Sequence, residues 1–247
     1  MNHTLPAKML VIQAGLASSG GWARLTLTDR PLRTSAGNSA LAPGEPVSPM
    51  NIVNIGYDST NYYILGQASG RILIDVGWPG TLPKLVANLK RKGISLQSIG
   101  YLLVTHYHPD HAGLVQEIKT RGVRLIVLKE QNDAIPMLKT YMKPRDRFVD
   151  IQSHDNIQLT TEASRAFLET LGVAGEIIST PGHSDDSITL ILDEGATFTG
   201  DLPGPTWIDE GGLAQAARSW QAIRALGART VYPGHGPIRP LQIVAHA

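Results

Sequence analysis

At 247 residues the chain is long enough to bury a full core, and it reads as one large α/β domain behind an amino-terminal appendage. Its 22 basic and 21 acidic residues leave a formal charge of +1, so it carries no electrostatic footprint for nucleic acid or an anionic membrane. It has no cysteine, which excludes disulfides, thiolate ligands and a cysteine nucleophile and leaves histidine and carboxylate as the strong metal ligands.

Residues 1–49 are rich in Ala, Gly, Ser and Pro and lack strand or helix periodicity, so they read as a poorly structured extension. The one export-like feature is Lys8 ahead of a short apolar patch, Met9 to Ile12, broken at Gln13. No apolar run approaches the length of a membrane span, and the protein reads as cytoplasmic. The folded domain is expected over residues 50–247, opening with a strand at Asn51 to Gly56. Asn61 to Leu65 and Arg71 to Val76 then read as a hairpin around the glycine-bounded turn Gly66 to Gly70. Its second strand ends Ile74-Asp75-Val76-Gly77. A carboxylate at the end of a buried strand is costly without a partner, so Asp75 either caps a turn or orients a metal-bound histidine from behind, and the second role is expected.

Leu82, Leu85, Val86 and Leu89 have amphipathic helical spacing, with Thr81 as a potential N-cap and Gly93 as the stop. The apolar run Ile99 to Val104 feeds into Thr105-His106-Tyr107-His108-Pro109-Asp110-His111, and helical spacing (Leu114, Val115, Ile118) leads away to Gly122 and a strand at 123–128. Three histidines and an aspartate thus crowd the C-terminal end of a buried strand. In His-x-His the alternation of an extended backbone points both rings the same way, while Asp110 and His111 fall on the following turn. Neutral imidazole and carboxylate are the donors zinc-like cations prefer, so this stretch reads as a metal site with ligands for two ions.

Residues 129–150 lose periodicity but mix Lys129, Lys139, Lys143, Arg145 and Arg147 with Met137, Tyr141, Met142 and Phe148. They form either a solvated helix and loop or a lid that shapes a substrate pocket. A helix follows over Glu162 to Leu171, with Ala163, Phe167, Leu168 and Leu171 inward. The second half repeats the theme. A strand over Glu176 to Thr180 runs into Pro181-Gly182-His183, a hairpin over Ser187 to Thr199 ends at Gly200-Asp201, and after a helix at Leu213 to Leu226 the strand Thr230 to Tyr232 runs into Pro233-Gly234-His235-Gly236. Five of the eight histidines therefore sit at strand ends beside glycines or tight turns, whereas His3, His154 and His246 have no such setting.

The series Thr105 to His111, Thr180-Pro181-Gly182-His183, Thr199-Gly200-Asp201 and Tyr232 to Gly236, with Asp75 ahead of it, resembles the metallo-β-lactamase superfamily from about Met50 onward. The resemblance implies an αβ/βα four-layer sandwich, with two mixed sheets flanked by helices and a site at one edge. It also implies that His106, His108 and His183 hold one metal, that Asp110, His111 and His235 hold a second, that Asp201 bridges both, and that Asp75 supports them. The expected cofactor is two zinc ions per chain, with manganese or iron as substitutes.

The implied chemistry is attack by a hydroxide held between the metals on an ester, lactone or thioester of a small molecule, with Asp110 as the catalytic group that orients the nucleophile or returns a proton. A bridging aspartate argues against true β-lactamases. The chain ends soon after His235, without room for the C-terminal domain of glyoxalase II. Lactonases of this fold carry a Tyr after the bridging Asp, where this chain has Leu202-Pro203-Gly204-Pro205, so Tyr107 is expected to supply the missing substrate-binding donor. Alternatives are a persulfide dioxygenase with one iron on His106, His183 and Asp201, or a β-lactam or phosphodiester hydrolase of the same fold. Asp185 and Asp186, which follow His183, have no role in this reading.

Overall fold

The computed structural model describes residues 49–66, 70–205 and 214–241. Except for Pro49, the expected extension over 1–49 lies outside the described residues, as do the middle of the Gly66–Gly70 turn and residues 206–213 and 242–247. One sheet runs in sequence order through β1 (Ile52–Asn54), β2 (Tyr63–Leu65), β3 (Arg71–Ile74), β4 (Ile99–Leu103), β5 (Arg124–Leu128) and β6 (Ile157–Leu159). The other is ordered β11 (Arg239–Pro240), β10 (Thr230–Pro233), β9 (Ala196–Gly200), β8 (Ile188–Leu192), β7 (Gly175–Ser179). Strands β3 to β6 are parallel, as are β9 and β10, while the hairpins β2–β3, β7–β8 and β8–β9 are antiparallel. Strands β6 and β11, of three and two residues, were not anticipated, because runs so short carry no periodicity of their own.

Side-chain alternation builds three apolar layers. On β2 to β5, Tyr63, Leu65, Ile72, Ile74, Leu103, Ile126 and Leu128 face Ile188, Leu190, Leu192 and Phe198 of the second sheet. The intervening residues, Ile64, Leu73, Leu102, Leu125 and Val127, face α1 (Leu82–Arg91), α2 (Pro109–Ala112) and α3 (Val115–Lys119). Strands buried on both faces read as continuous apolar runs, which is how these appear. The far face of the second sheet packs Ile191 and Val231 against Ala216, Trp220 and Ile223 of a long helix over Ala214–Ala225. The result is the expected sandwich of helix, sheet, sheet and helix.

Local departures have identifiable causes. Thr81 sits at the N-cap of α1 without capping it, because its hydroxyl donates to the Trp78 carbonyl at 2.6 Å and meets the Tyr57 hydroxyl at 2.7 Å. The single helix expected after His108 is two short ones, interrupted at Gly113 and Leu114. A side chain on Gly113 would collide with the Pro109 carbonyl and Pro79. In the helix over Thr161–Thr170, Ala163 is exposed and Ser164 is buried in its place, donating to and accepting from the backbone of Ile177 at 3.3 and 3.0 Å.

Candidate metal centre

The ligand turn begins where β4 stops. Pro109 occupies the first turn of α2 with its preset φ, His108 is the extended residue ahead of it, and Asp110 and His111 follow on the helix. His183 comes from the loop after β7, Asp201 from the end of β9 and His235 from the end of β10, so C-terminal strand ends from both sheets converge on one edge. All seven predicted side chains meet there. The ring nitrogens of His106, His108 and His183 approach one another, with 3.1 Å between His106 Nε2 and His108 Nδ1 and 3.0 Å between His108 Nδ1 and His183 Nε2. Asp110, His111 and His235 form a second group, with 3.1 Å from His235 Nε2 and 3.5 Å from His111 Nε2 to Asp110 Oδ2. Asp201 lies between the groups: its Oδ1 is 3.3 Å from His111 Nε2, and its Oδ2 is 3.3, 3.7 and 4.0 Å from the Nε2 atoms of His235, His183 and His106.

These separations test whether cations fit. Donor atoms of a tetrahedral zinc, each about 2.0 to 2.1 Å from the ion, stand roughly 3.3 Å apart, which is the spacing found within both groups. The hydrogen-bond pattern adds a second argument. Asp75, almost fully buried, accepts from the backbone N–H of Thr105 at 2.7 Å and from its hydroxyl at 2.8 Å, and its Oδ2 lies 2.9 Å from His111 Nδ1. A carboxylate only accepts, so His111 carries a proton on Nδ1. The spent Thr105 hydroxyl in turn accepts from His106 Nδ1 at 3.2 Å, and the Ser59 carbonyl accepts from His235 Nδ1 at 2.7 Å. Each ring thereby turns a bare Nε2 toward the centre. His111 Nε2 and Asp201 Oδ1 are buried with no hydrogen-bond partner although they face each other. Two lone pairs in that position call for a cation between them.

Electrostatics agree. Burial, then the neighbouring imidazoles, hold His106 well below its usual pKa, and burial lowers His183 as well, keeping both as neutral donors. Burial also opposes charge on His111, but Asp75 and Asp201 outweigh it and raise its pKa to about 10, so without a metal a proton takes the place of the cation. Burial alone would raise Asp201, yet His111, His235 and His183 hold it below the ordinary carboxylate range.

Two glycines make the close approach possible. A Cβ on Gly234 would lie 2.3 Å from Asp201 Oδ1 and 2.6 Å from His111 Cε1. Gly200, at φ 53°, would place a Cβ 2.5 Å from Thr105 Oγ1.

One predicted site residue is corrected. Tyr107 is 2% exposed and packs in the helix-side core, so it does not face a substrate. The same alternation that turns His106 and His108 toward the site turns the residue between them away. From the 129–150 segment, Tyr141 reaches the site. Leu138 anchors the segment in the core, and the half-exposed Tyr141 ring stands edge-on to His108 at 5.4 Å. Lys139 instead points outward to Asp150 at 2.6 Å.

Several supporting residues carried no sequence signal. Asn61 holds the turn of His235 through its backbone N–H to the Gly234 carbonyl and its side-chain amide to the Pro233 and Gly236 carbonyls. The Thr60 hydroxyl donates to Asp110 Oδ2 at 3.2 Å, and the Tyr62 hydroxyl donates to the Asp110 carbonyl at the same distance. Asp186 accepts from the backbone N–H of Tyr107 at 2.7 Å.

The sequence profile described as the Metallo-beta-lactamase superfamily matches residues 55–235, which contain every side chain of this centre. A Beta-lactamase-like protein 2 homolog from Caenorhabditis elegans is 31% identical over 72% of this chain and 56% of its own length, and its Drosophila melanogaster counterpart is 32% identical over 72% and 59%. An Atrochrysone carboxyl ACP thioesterase from Aspergillus fumigatus is 30% identical over 72% of this chain and 51% of its own. The chain thus spans about half the length of these curated relatives. Among solved structures, a metallo-beta-lactamase family protein from Thermus thermophilus superposes with a TM-score of 0.58 at 23% identity, covering 76% of this chain and 74% of that one. The metallo-beta-lactamase GOB-18 from Elizabethkingia meningoseptica superposes with a TM-score of 0.55 at 18% identity, covering 80% and 83%. With sandwich, strand-end ligands and profile in agreement, the chain belongs to the metallo-beta-lactamase superfamily.

Proposed function

We propose that this protein is a metal-dependent hydrolase that holds two zinc ions and cleaves an ester, lactone or thioester bond in a small molecule. The observation that carries the reading is Asp201, whose carboxylate lies within 4.0 Å of donor nitrogens from both histidine groups and would join two metals in one centre. His106, His108 and His183 would hold one ion, and Asp110, His111 and His235 the other. A donor set of imidazole nitrogen and carboxylate oxygen suits zinc, with manganese or iron as substitutes.

Divalent cations bound there would lower the pKa of bound water to near 7 and polarise the carbonyl of the scissile bond. The protein's own groups complete the chemistry. Asp110, partly exposed and steadied by Thr60, is placed to take the proton of the attacking water and return it to the leaving group. Asp75 keeps His111 directly, and His106 through Thr105, in the tautomers that offer Nε2. Tyr141, beside His108, presents an apolar face to the part of the substrate next to the scissile bond. The thioesterase among the relatives supports placing thioesters first.

The test is metal-stripped protein reconstituted with zinc, manganese or iron and offered thioesters, lactones, esters, β-lactams and phosphodiesters. Zinc-dependent turnover of a thioester, lactone or ester at about two ions per chain is expected. Oxygen consumption with a persulfide at one iron per chain, and hydrolysis of none of the panel, would overturn the assignment.

A further inference from the structure

Asp186 is a buried carboxylate that the hydrolytic reading leaves unused. It is 9% exposed, and among the described residues no lysine, arginine or histidine pairs with it. Its own turn does not need it. Ser184 and Ser187 close that turn between themselves, with Ser184 N donating to Ser187 Oγ at 3.2 Å, the two hydroxyls 2.8 Å apart, and Ser187 N donating to the Ser184 carbonyl at 3.3 Å. The Asp186 side chain instead leaves its loop and takes the N–H of Tyr107 at 2.7 Å. Three further bonds stitch the same two segments together, two of them through Gln131. Ile188 N donates to the Thr105 carbonyl at 2.9 Å, and the buried Gln131 amide donates to the carbonyls of Val104 at 2.9 Å and Asp186 at 3.3 Å.

We infer that Asp186 is a positioning residue that sets the geometry of the His106, His108 and His183 group, which the proposed function takes as one of its two metal sites. Tyr107 N–H is the backbone donor between His106 and His108. Anchoring it fixes the pleat that puts both imidazoles on one side, with their nitrogens 3.1 Å apart. Asp186 itself lies three residues beyond His183, so the one bond also sets how far His183 stands from His108, the 3.0 Å contact across the two halves of the molecule. Burying a carboxylate to hold a single amide is costly, and it is justified by what that amide positions. Nothing comparable links Asp186 to Asp110, His111 or His235 among the described residues, so its effect is confined to one group.

The inference is tested by titrating metal-stripped protein with cobalt(II) against a chromophoric chelator, with His108→Ala and His235→Ala identifying which binding phase belongs to which group. Asp186→Ser is too short to reach Tyr107. It is expected to weaken the His106/His108/His183 phase by about 10- to 100-fold, to alter the visible cobalt spectrum of that phase, and to leave the other phase unchanged. Asp186→Asn, whose Oδ1 still accepts the N–H, is expected to restore both affinity and spectrum to within about threefold. Wild-type affinity in Asp186→Ser, or equal weakening of both phases, overturns the inference. If Asp186→Ser does not fold, Asp186→Asn decides alone, since a tenfold loss in either phase with the acceptor retained contradicts a clamp. Failure of the wild-type protein to bind cobalt at all would overturn the metal reading itself, a result distinct from any of these.

Discussion

Asp75 controls one candidate ligand in each metal group, so its replacement by asparagine should damage both. The substitution is nearly isosteric, and asparagine tolerates the left-handed backbone found at this position, φ 61°, so the fold should persist. The new amide can still accept the Thr105 N–H through its oxygen. Its NH2 group, however, faces two atoms that donate in the wild type, His111 Nδ1 and the Thr105 hydroxyl. His111 must then move its proton to Nε2, and the reversed Thr105 hydroxyl donates to His106 Nδ1 and drives the same switch there. Each ring would present a proton where the metal needs a lone pair. Restoring the productive tautomer means giving up a hydrogen bond to a buried group. Bonds to charged partners of this kind are worth about 1.5 to 3 kcal/mol, or roughly 10- to 100-fold in affinity. That range is also usual for residues that orient metal ligands. The assay is competition with a chromophoric chelator, read alongside thermal unfolding of the metal-free protein. The expected result is a loss of about 10- to 100-fold in both binding phases, with a metal-free protein that still unfolds cooperatively but at a lower temperature near neutral pH, because His111 loses the support of the Asp75 charge. Wild-type affinity in both phases would refute the tautomer argument and reduce Asp75 to a turn residue.

Asp110→Asn removes a proton acceptor with little change in size, so turnover of the best thioester, lactone or ester should fall at least about a hundredfold while the His106/His108/His183 phase keeps its affinity. A variant with wild-type kcat would exclude Asp110 as the proton shuttle. Gly234→Ala forces a methyl group against Asp201 and His111 and should abolish binding at the Asp110/His111/His235 group, checked by zinc content after gel filtration. Two zinc ions in that variant would show that the turn yields without cost. In the metal-free protein, His111, raised to about 10, adds stability that is complete below its unfolded pKa of about 6.5 and is lost as pH rises toward 10, on the order of 1 kcal/mol per pH unit. His106, lowered, acts in the opposite sense, and its contribution is lost as pH falls below about 6.5. Urea unfolding in a chelator should therefore show maximal stability near pH 6.5 and an alkaline decline that His111→Gln removes; an unchanged decline in that variant would assign it elsewhere.

Much of this protein was determined locally. The doubly buried strands are continuous apolar runs, and Gly93 and Gly122 end their segments in left-handed conformations that other residues avoid. His-x-His directs two rings to one side of an extended backbone whatever surrounds it, and Pro109 starts α2 directly after. The candidate ligands were legible because histidine and aspartate at strand ends beside glycines are costly choices unless something uses them. What surrounds the ligands was decided only by tertiary structure, since those contacts join residues far apart in the chain. Asn61 holds Pro233 and Gly236, Ser59 orients His235, Gln131 bridges Val104 and Asp186, and Asp186 holds Tyr107, each across 27 to 176 positions. No local pattern marks an asparagine or glutamine that satisfies a distant backbone. The error at Tyr107 has the same origin: its sequence neighbours lie in the site, but the pleat turns its ring into the core, and a neighbour along the chain is a neighbour in space only on the same face.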